Sequence, residues 1–149
     1  IQMEPQIVRW ERCTPDQVTR YQSRLSGPLL DRIDLHVEVP AMPASELVQA
    51  PPGEATADIR ARCLQARDRA LQRQGAPNQA LQVRDIDGHL QLDAEALRFL
   101  HLAATRLGWS ARATHRVLKV ARTIADLAGV QATQVTHLAE AMQYRRTGS

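Results

Sequence analysis

Arginine is the residue type in this chain with the clearest capacity for chemistry. Lys119 is the only lysine, so nearly all the positive charge is guanidinium, a planar fork that meets phosphate or carboxylate with two parallel hydrogen bonds. Two positions stand out. Arg32 sits in a turn immediately before an alternating apolar segment, with Leu30 and Ile33 beside it as anchors for the turn. A guanidinium projecting from such a turn could neutralise charge on a phosphoryl group, or it could pair with Asp31 or Asp34. Arg112 follows Ser110 by two residues, in the first turn of a predicted helix. The helix dipole disfavours a cation there, but the same N-terminus attracts phosphate, so side chain and backbone could face one nucleotide together. The alternative is a surface arginine with its donors satisfied by water.

The machinery for independent catalysis is missing from the sequence. No GxxxxGK[ST] occurs, so nothing cradles a triphosphate. No hydrophobic run ends in the Asp-Glu pair that holds magnesium beside one. His36, His89, His101, His115 and His137 show no ligand spacing and are expected at the surface or on helix flanks. Cys13 and Cys63 lie fifty residues apart without a CxxC, which argues against a disulfide framework and a complete zinc site. The net charge of +3 is compatible with nucleic acid or nucleotide, although interleaved acids read first as a solvated face. No apolar run approaches a membrane span and no leader pattern opens the chain. A soluble cytoplasmic protein is the resulting expectation.

The elements that must position these arginines are mainly helical. Only five of 149 residues are aromatic, and a core of Ala, Leu and Val favours close-packed helices. Thr14-Pro15-Asp16-Gln17 is a helix start with a capping box, predicting a helix from Pro15 to about Ser26, stopped by Gly27-Pro28. Ile33, Leu35, Val37 and Val39 alternate with Asp34, His36 and Glu38, predicting a strand ended by Pro40. A strand needs a partner, so this one implies a larger protein. Four prolines across residues 40–55 predict a linker. Beyond it the sequence predicts a helix over 57–74, with Ile59, Cys63, Ala66 and Ala70 on its inner stripe and Gly75 as its stop. A short helix is predicted around 84–90. A third opens at Asp93, carries Leu97, Leu100, Ala104 and Leu107, and ends at Gly108. A fourth opens at Ser110, carries Val117, Val120, Ala121, Ile124 and Leu127, and ends near Gly129. A last one is capped by Thr133, with Val135, Leu138 and Met142 inward. Short loops between them argue an antiparallel bundle.

Three stretches carry a resemblance to a known family. Residues 24–39 (RLSGPLLDRIDLHVEV), residues 110–127 (SARATHRVLKVARTIADL) and residues 137–146 (HLAEAMQYRR) resemble the magnesium-chelatase-like AAA+ ATPases, in particular the competence-associated, ComM/YifB-type branch. The resemblance covers about residues 13–146. It implies residues 13–40 as the end of an α/β core (a helix, an arginine-finger turn and one β-strand), 41–56 as a Pro-rich linker and 57–146 as the helical lid, with 1–12 unassigned. It further implies Arg32 as the arginine finger, Arg112 as the sensor-2 arginine and Arg24 as a weaker candidate that pairs across a subunit interface. Arg116 and Arg122 take solvated or inter-subunit roles in this reading. ATP and Mg²⁺ would belong to the intact parent and to none of this fragment alone, which should be inactive by itself. The parent would be a homo-oligomeric ring, a hexamer, acting on DNA in natural transformation through regions outside this chain, with no membrane partner. Cys13 stands in the last position of the family's short cysteine cluster, but Glu11 occupies a preceding position, and no metal site is expected.

Two other classes compete with this reading. One is a helical DNA-binding module using the helix after Ser110 for recognition; the junction 107–110 fits a helix-turn-helix loosely, but the broad apolar stripe argues for burial. The other is a structural interaction domain with no ATPase role.

Overall fold

The computed structural model describes residues 14–22, 24, 32–37, 39, 42–43 and 50–145. They fall into two compact units, residues 1–33 and residues 34–149.

In the first unit, α1 (Pro15–Gln22) starts where the sequence predicts. The Thr14 N–H donates to Gln17 Oε1 at 3.0 Å, and the Gln17 N–H donates to Thr14 Oγ1 at 3.3 Å. The pair satisfies donors that a helix start leaves open. Pro15 takes the first helical position, where its missing N–H would have had no intrahelical partner. The helix spans Pro15–Gln22 and Arg24 beyond it lies in a turn; the expected end at Ser26 and the Gly27-Pro28 stop lie outside the described residues, as does Cys13.

The second unit is a helical bundle: α2 (Thr56–Gln74), a 3-10 turn (Asn78–Ala80), α3 (Val83–His89), α4 (Ala94–Arg106), α5 (Ala111–Ala128) and α6 (Val135–Gln143). Most boundaries are set locally. Asp93 Oδ1 accepts from the Ala96 N–H at 2.7 Å to start α4, and Ser110 Oγ accepts from the Ala113 N–H at 3.2 Å to start α5. Gly75 and Gly129 close α2 and α5 at φ 71° and 73°, left-handed backbone that only glycine enters without strain. Among the described residues no helix is long and apolar enough to cross a membrane.

Several expectations are corrected. Residues 33–37 and 39 form no strand. Among the described residues no strand lies beside them, and a ladder cannot close without one. Leu35, Val37 and Val39, meant for one buried face, are 49%, 67% and 83% exposed. The inner stripe of α2 is half as long as predicted: Ala66 and Ala70 are buried, whereas Ile59 is 42% exposed and Cys63 is exposed. Thr133 does not cap α6. Its hydroxyl donates to Leu90 O at 2.6 Å, and its N–H donates to Gln91 O at 3.0 Å in an isolated bridge with Leu92. Gln134 takes the cap, its N–H donating to His137 Nδ1 at 3.0 Å.

The core explains the alanine-rich composition. Ile86, Leu90, Leu100, Val117, Leu118 and Leu138 are buried around Ala96, Ala121 and Ala141. Methyl side chains at those crossing points let helix backbones approach closely, and the larger aliphatics fill the space between. Phe99, Trp109, Val120, Ile124, Val135 and Met142 pack around this centre while partly exposed. The predicted stripe of α4 is rotated: Ala96 and Leu100 face inward, whereas Leu97 and Leu107 are exposed. α5 is central, packing on both α2 and α6.

Candidate functional site

The three candidate site arginines, Arg24, Arg32 and Arg112, are exposed. In the first unit Arg24 and Arg32 are exposed residues of turns. In the second unit Arg112 is the second residue of α5 and is exposed. Its surroundings differ from those at the starts of α2, α3 and α4, although α6 likewise opens without an acid. α2, α3 and α4 carry Asp58, Asp85 and Glu95 in their first turns, as the helix dipole favours. The first turn of α5 holds no acid. An exposed guanidinium therefore shares this turn with open N–H groups and with no carboxylate to neutralise it, an arrangement suited to an anionic ligand.

One turn further along α5, Arg116 lies on the same helical face as Arg112. Its Nη1 pairs with Asp34 Oδ1 at 2.5 Å. The next turn brings Lys119, whose Nζ donates to Gln79 O at 3.0 Å. Asp34, Leu35, Arg116, Lys119, Val120 and Thr123 help line a cleft of about 280 Å³.

The opposite end of α5 holds a polar network that sequence reasoning missed. Arg122 and Asp126 are each 1% exposed. Arg122 donates to Asp126 Oδ1 through Nε at 3.2 Å and Nη2 at 2.9 Å, to Thr133 Oγ1 at 3.1 Å, and to the carbonyls of Val130 and Gln131 at 2.7 and 2.6 Å. Asp126 also accepts from Arg73 Nη1 at 2.6 Å and Nη2 at 3.0 Å, and from Asn78 Nδ2 at 2.9 Å. Arg69 Nη1 donates to Asp126 O at 2.6 Å, placing a cation at the negative end of α5. Burial alone would raise the Asp126 carboxyl, but the hydrogen bonds from Arg73, Asn78 and Arg122 outweigh it and hold the group below its ordinary value. Burial lowers the Arg122 guanidinium, against the pull of Asp126. The solvated or inter-subunit role expected for Arg122 is therefore corrected: all five of its N–H donors are used inside the fold. The available signal was spacing, because 118, 122 and 126 continue one buried stripe beside 117, 121 and 125. His137 is likewise buried rather than on a helix flank, and its Nδ1 serves the α6 cap.

Comparison with known proteins gives these features a family context. Residues 53–145 match the family described as "Magnesium chelatase, subunit ChlI C-terminal", and residues 6–47 match "Magnesium chelatase, subunit ChlI". The chain is 44% identical over 135 residues to "Competence protein ComM" of Haemophilus influenzae, covering 90% of this chain and 26% of that protein. It is equally similar to "Uncharacterized protein YifB" of Salmonella typhimurium, with 44% identity over 90% of this chain and 27% of the relative. A Mycobacterium bovis protein is 34% identical over 92% of this chain and 28% of its own length. The chain thus spans about a quarter of the length of the curated relatives it matches.

Proposed function

The chain belongs to the magnesium chelatase family, through the C-terminal part of its ChlI-type subunit, and on that footing we propose that it is the portion of an AAA+ ring ATPase that reads a nucleotide bound elsewhere. Arg112 acts as the sensor-2 arginine and Arg32 as the arginine finger, each toward ATP held on a neighbouring subunit; Arg24 pairs across that subunit boundary. The chain carries no GxxxxGK[ST] loop, so ATP and Mg²⁺ are held by other parts of the parent, and this fragment alone hydrolyses nothing. The parent is a homo-oligomeric ring, a hexamer, working on DNA as a branch-migration or helicase motor. Similarity to a protein named for competence supports DNA as the substrate.

The observation that carries this reading is the first turn of α5. It presents an exposed Arg112 with no acid beside it, where the helix dipole supplies further positive potential. When a γ-phosphoryl group departs, charge spreads over its oxygens, and an arginine in reach stabilises it by roughly 10³–10⁵ in rate.

The test uses the intact parent. Arg32→Ala should abolish ATP hydrolysis while leaving ATP binding within a fewfold of the unchanged protein. Hydrolysis that survives the substitution removes the finger assignment.

A further inference from the structure

The segment that follows Arg32 in the chain is fastened to the helical bundle by two hydrogen-bonded contacts. Arg116 Nη1 meets Asp34 Oδ1 at 2.5 Å. The His36 N–H donates to Tyr144 O, just beyond α6, at 2.7 Å. Leu35, between them, helps line the cleft that Lys119, Val120 and Thr123 of α5 also line. We infer that Asp34 and Arg116 are a positioning pair: they fix where the chain bearing Arg32 leaves the helical bundle, and they join that chain to the helix whose first turn bears Arg112. This rests on the ATPase reading of Arg32 and Arg112.

Magnitudes favour positioning over stability. The side chains of Asp34 and Arg116 are 60% and 23% exposed, and exposed ion pairs contribute little to folding. The pair nevertheless joins residues 82 apart in sequence, so what it specifies is which part of the chain meets which turn of α5. Arg32 is only two residues from Asp34, at most about 7 Å of extended backbone. Arg116 is one helical turn from Arg112 on the same face. A shift of α5 on nucleotide sensing would therefore pull on the segment next to the finger, and the reverse holds by linkage. Neither Asp34 nor Arg116 needs to touch nucleotide for this to operate.

The experiment uses the full-length parent ring and four variants: Asp34→Asn, Arg116→Gln, the exchange Asp34→Arg with Arg116→Asp, and Arg32→Ala as reference. Each single variant should lower kcat for ATP about 3- to 10-fold, with KM for ATP, ring size and thermal unfolding of the protein unchanged. The exchanged pair should recover most of the loss, because opposite charges still meet with their positions traded. If Arg32→Ala abolishes hydrolysis but both single variants keep full kcat, the link is overturned and the finger stands. If the single variants lose kcat and the exchange recovers none of it, the two residues act separately and the link is again overturned. A loss of kcat that follows a fall in unfolding temperature assigns the pair to stability instead. Retained hydrolysis in Arg32→Ala overturns the ATPase reading and the link with it.

Discussion

At its C-terminal end α5 buries Arg122 against Asp126, with Arg73, Asn78, Thr133 and two loop carbonyls completing the hydrogen bonds. At its N-terminal end, on the same helix, Arg112 stands exposed beside a serine cap with no acid in the turn. The two guanidiniums are chemically identical, so their surroundings decide what each can do. Arg122 has no donor left for a ligand, and its charge is cancelled where it lies. Arg112 retains both donors and charge. An arginine that works on something outside the fold must be left incomplete by the fold, and the C-terminal network shows how thoroughly this bundle completes one when structure is its purpose.

The sharpest way to break that contrast is to remove one partner from the buried end. Asp126→Ala leaves Arg122 buried without a counter-charge and frees donors on Arg73 and Asn78. Removing one partner of a buried pair costs about 3–5 kcal/mol; urea unfolding should report a loss of that order. Replacing both residues together, Arg122→Met with Asp126→Leu, should cost less than the single change, since the fully buried Arg122 charge leaves with its partner and only Arg73, 15% exposed, loses its carboxylate. A single variant that unfolds like the unchanged chain would show that the network contributes nothing. The same carboxyl predicts a pH dependence. Its folded value is depressed below the ordinary 3.8, so the unfolded chain takes up its proton first as the pH falls. The stabilisation is therefore complete well above pH 3.8 and drains away as the pH drops through the lowered folded value. Unfolding midpoints of the unchanged chain should fall through that acid range, and those of Asp126→Asn should fall less.

What the sequence reveals of this molecule follows the range of the interactions involved. The starts at Thr14, Asp93 and Ser110 and the stops at Gly75 and Gly129 are legible because each depends on residues within one turn. Exposure of Arg112 is legible for the same reason: a helix start faces outward unless something covers it. Thr133 misleads, because its hydroxyl goes to Leu90 O, a partner 43 residues away. Arg122 misleads differently: its own partners lie only 4 to 11 residues away, but its charge suggests the surface, and what holds Asp126 beside it comes from Arg73 and Asn78, about 50 residues earlier. The alternation at 33–39 satisfies a strand's pattern without supplying its partner, and pattern alone forms no ladder. Arg32 is visible in the sequence as a residue of a turn, whereas Arg24, expected inside a helix reaching about Ser26, lies in a turn.

Smaller effects separate the two ends further. Gly129 closes α5 at φ 73°, and a Cβ placed there would lie 3.3 Å from Arg69 Nη2, the movable end of a side chain. The steric contact can relax, but the backbone strain cannot, so Gly129→Ala should cost about 1 kcal/mol. A change within error would mean that the chain turns out of α5 by another route.

Arg112→Ala should have the smallest effect on stability, within about 0.5 kcal/mol, as for a surface substitution away from any special feature. It removes a cation from the positive end of the helix dipole, so the small change could even be a gain. On the proposed sensor role, the same substitution in the full-length parent should lower ATP turnover by at least an order of magnitude, because a group in that role acts on charge that appears only when nucleotide is present. The combination is what distinguishes the ends of α5: the buried arginine network should give a large stability loss that carries any activity change with it, and the exposed arginine an activity loss with the fold untouched. If Arg112→Ala instead unfolds the chain and restoring stability by other means restores turnover, the two ends are doing the same job, and the N-terminal arginine is structural after all.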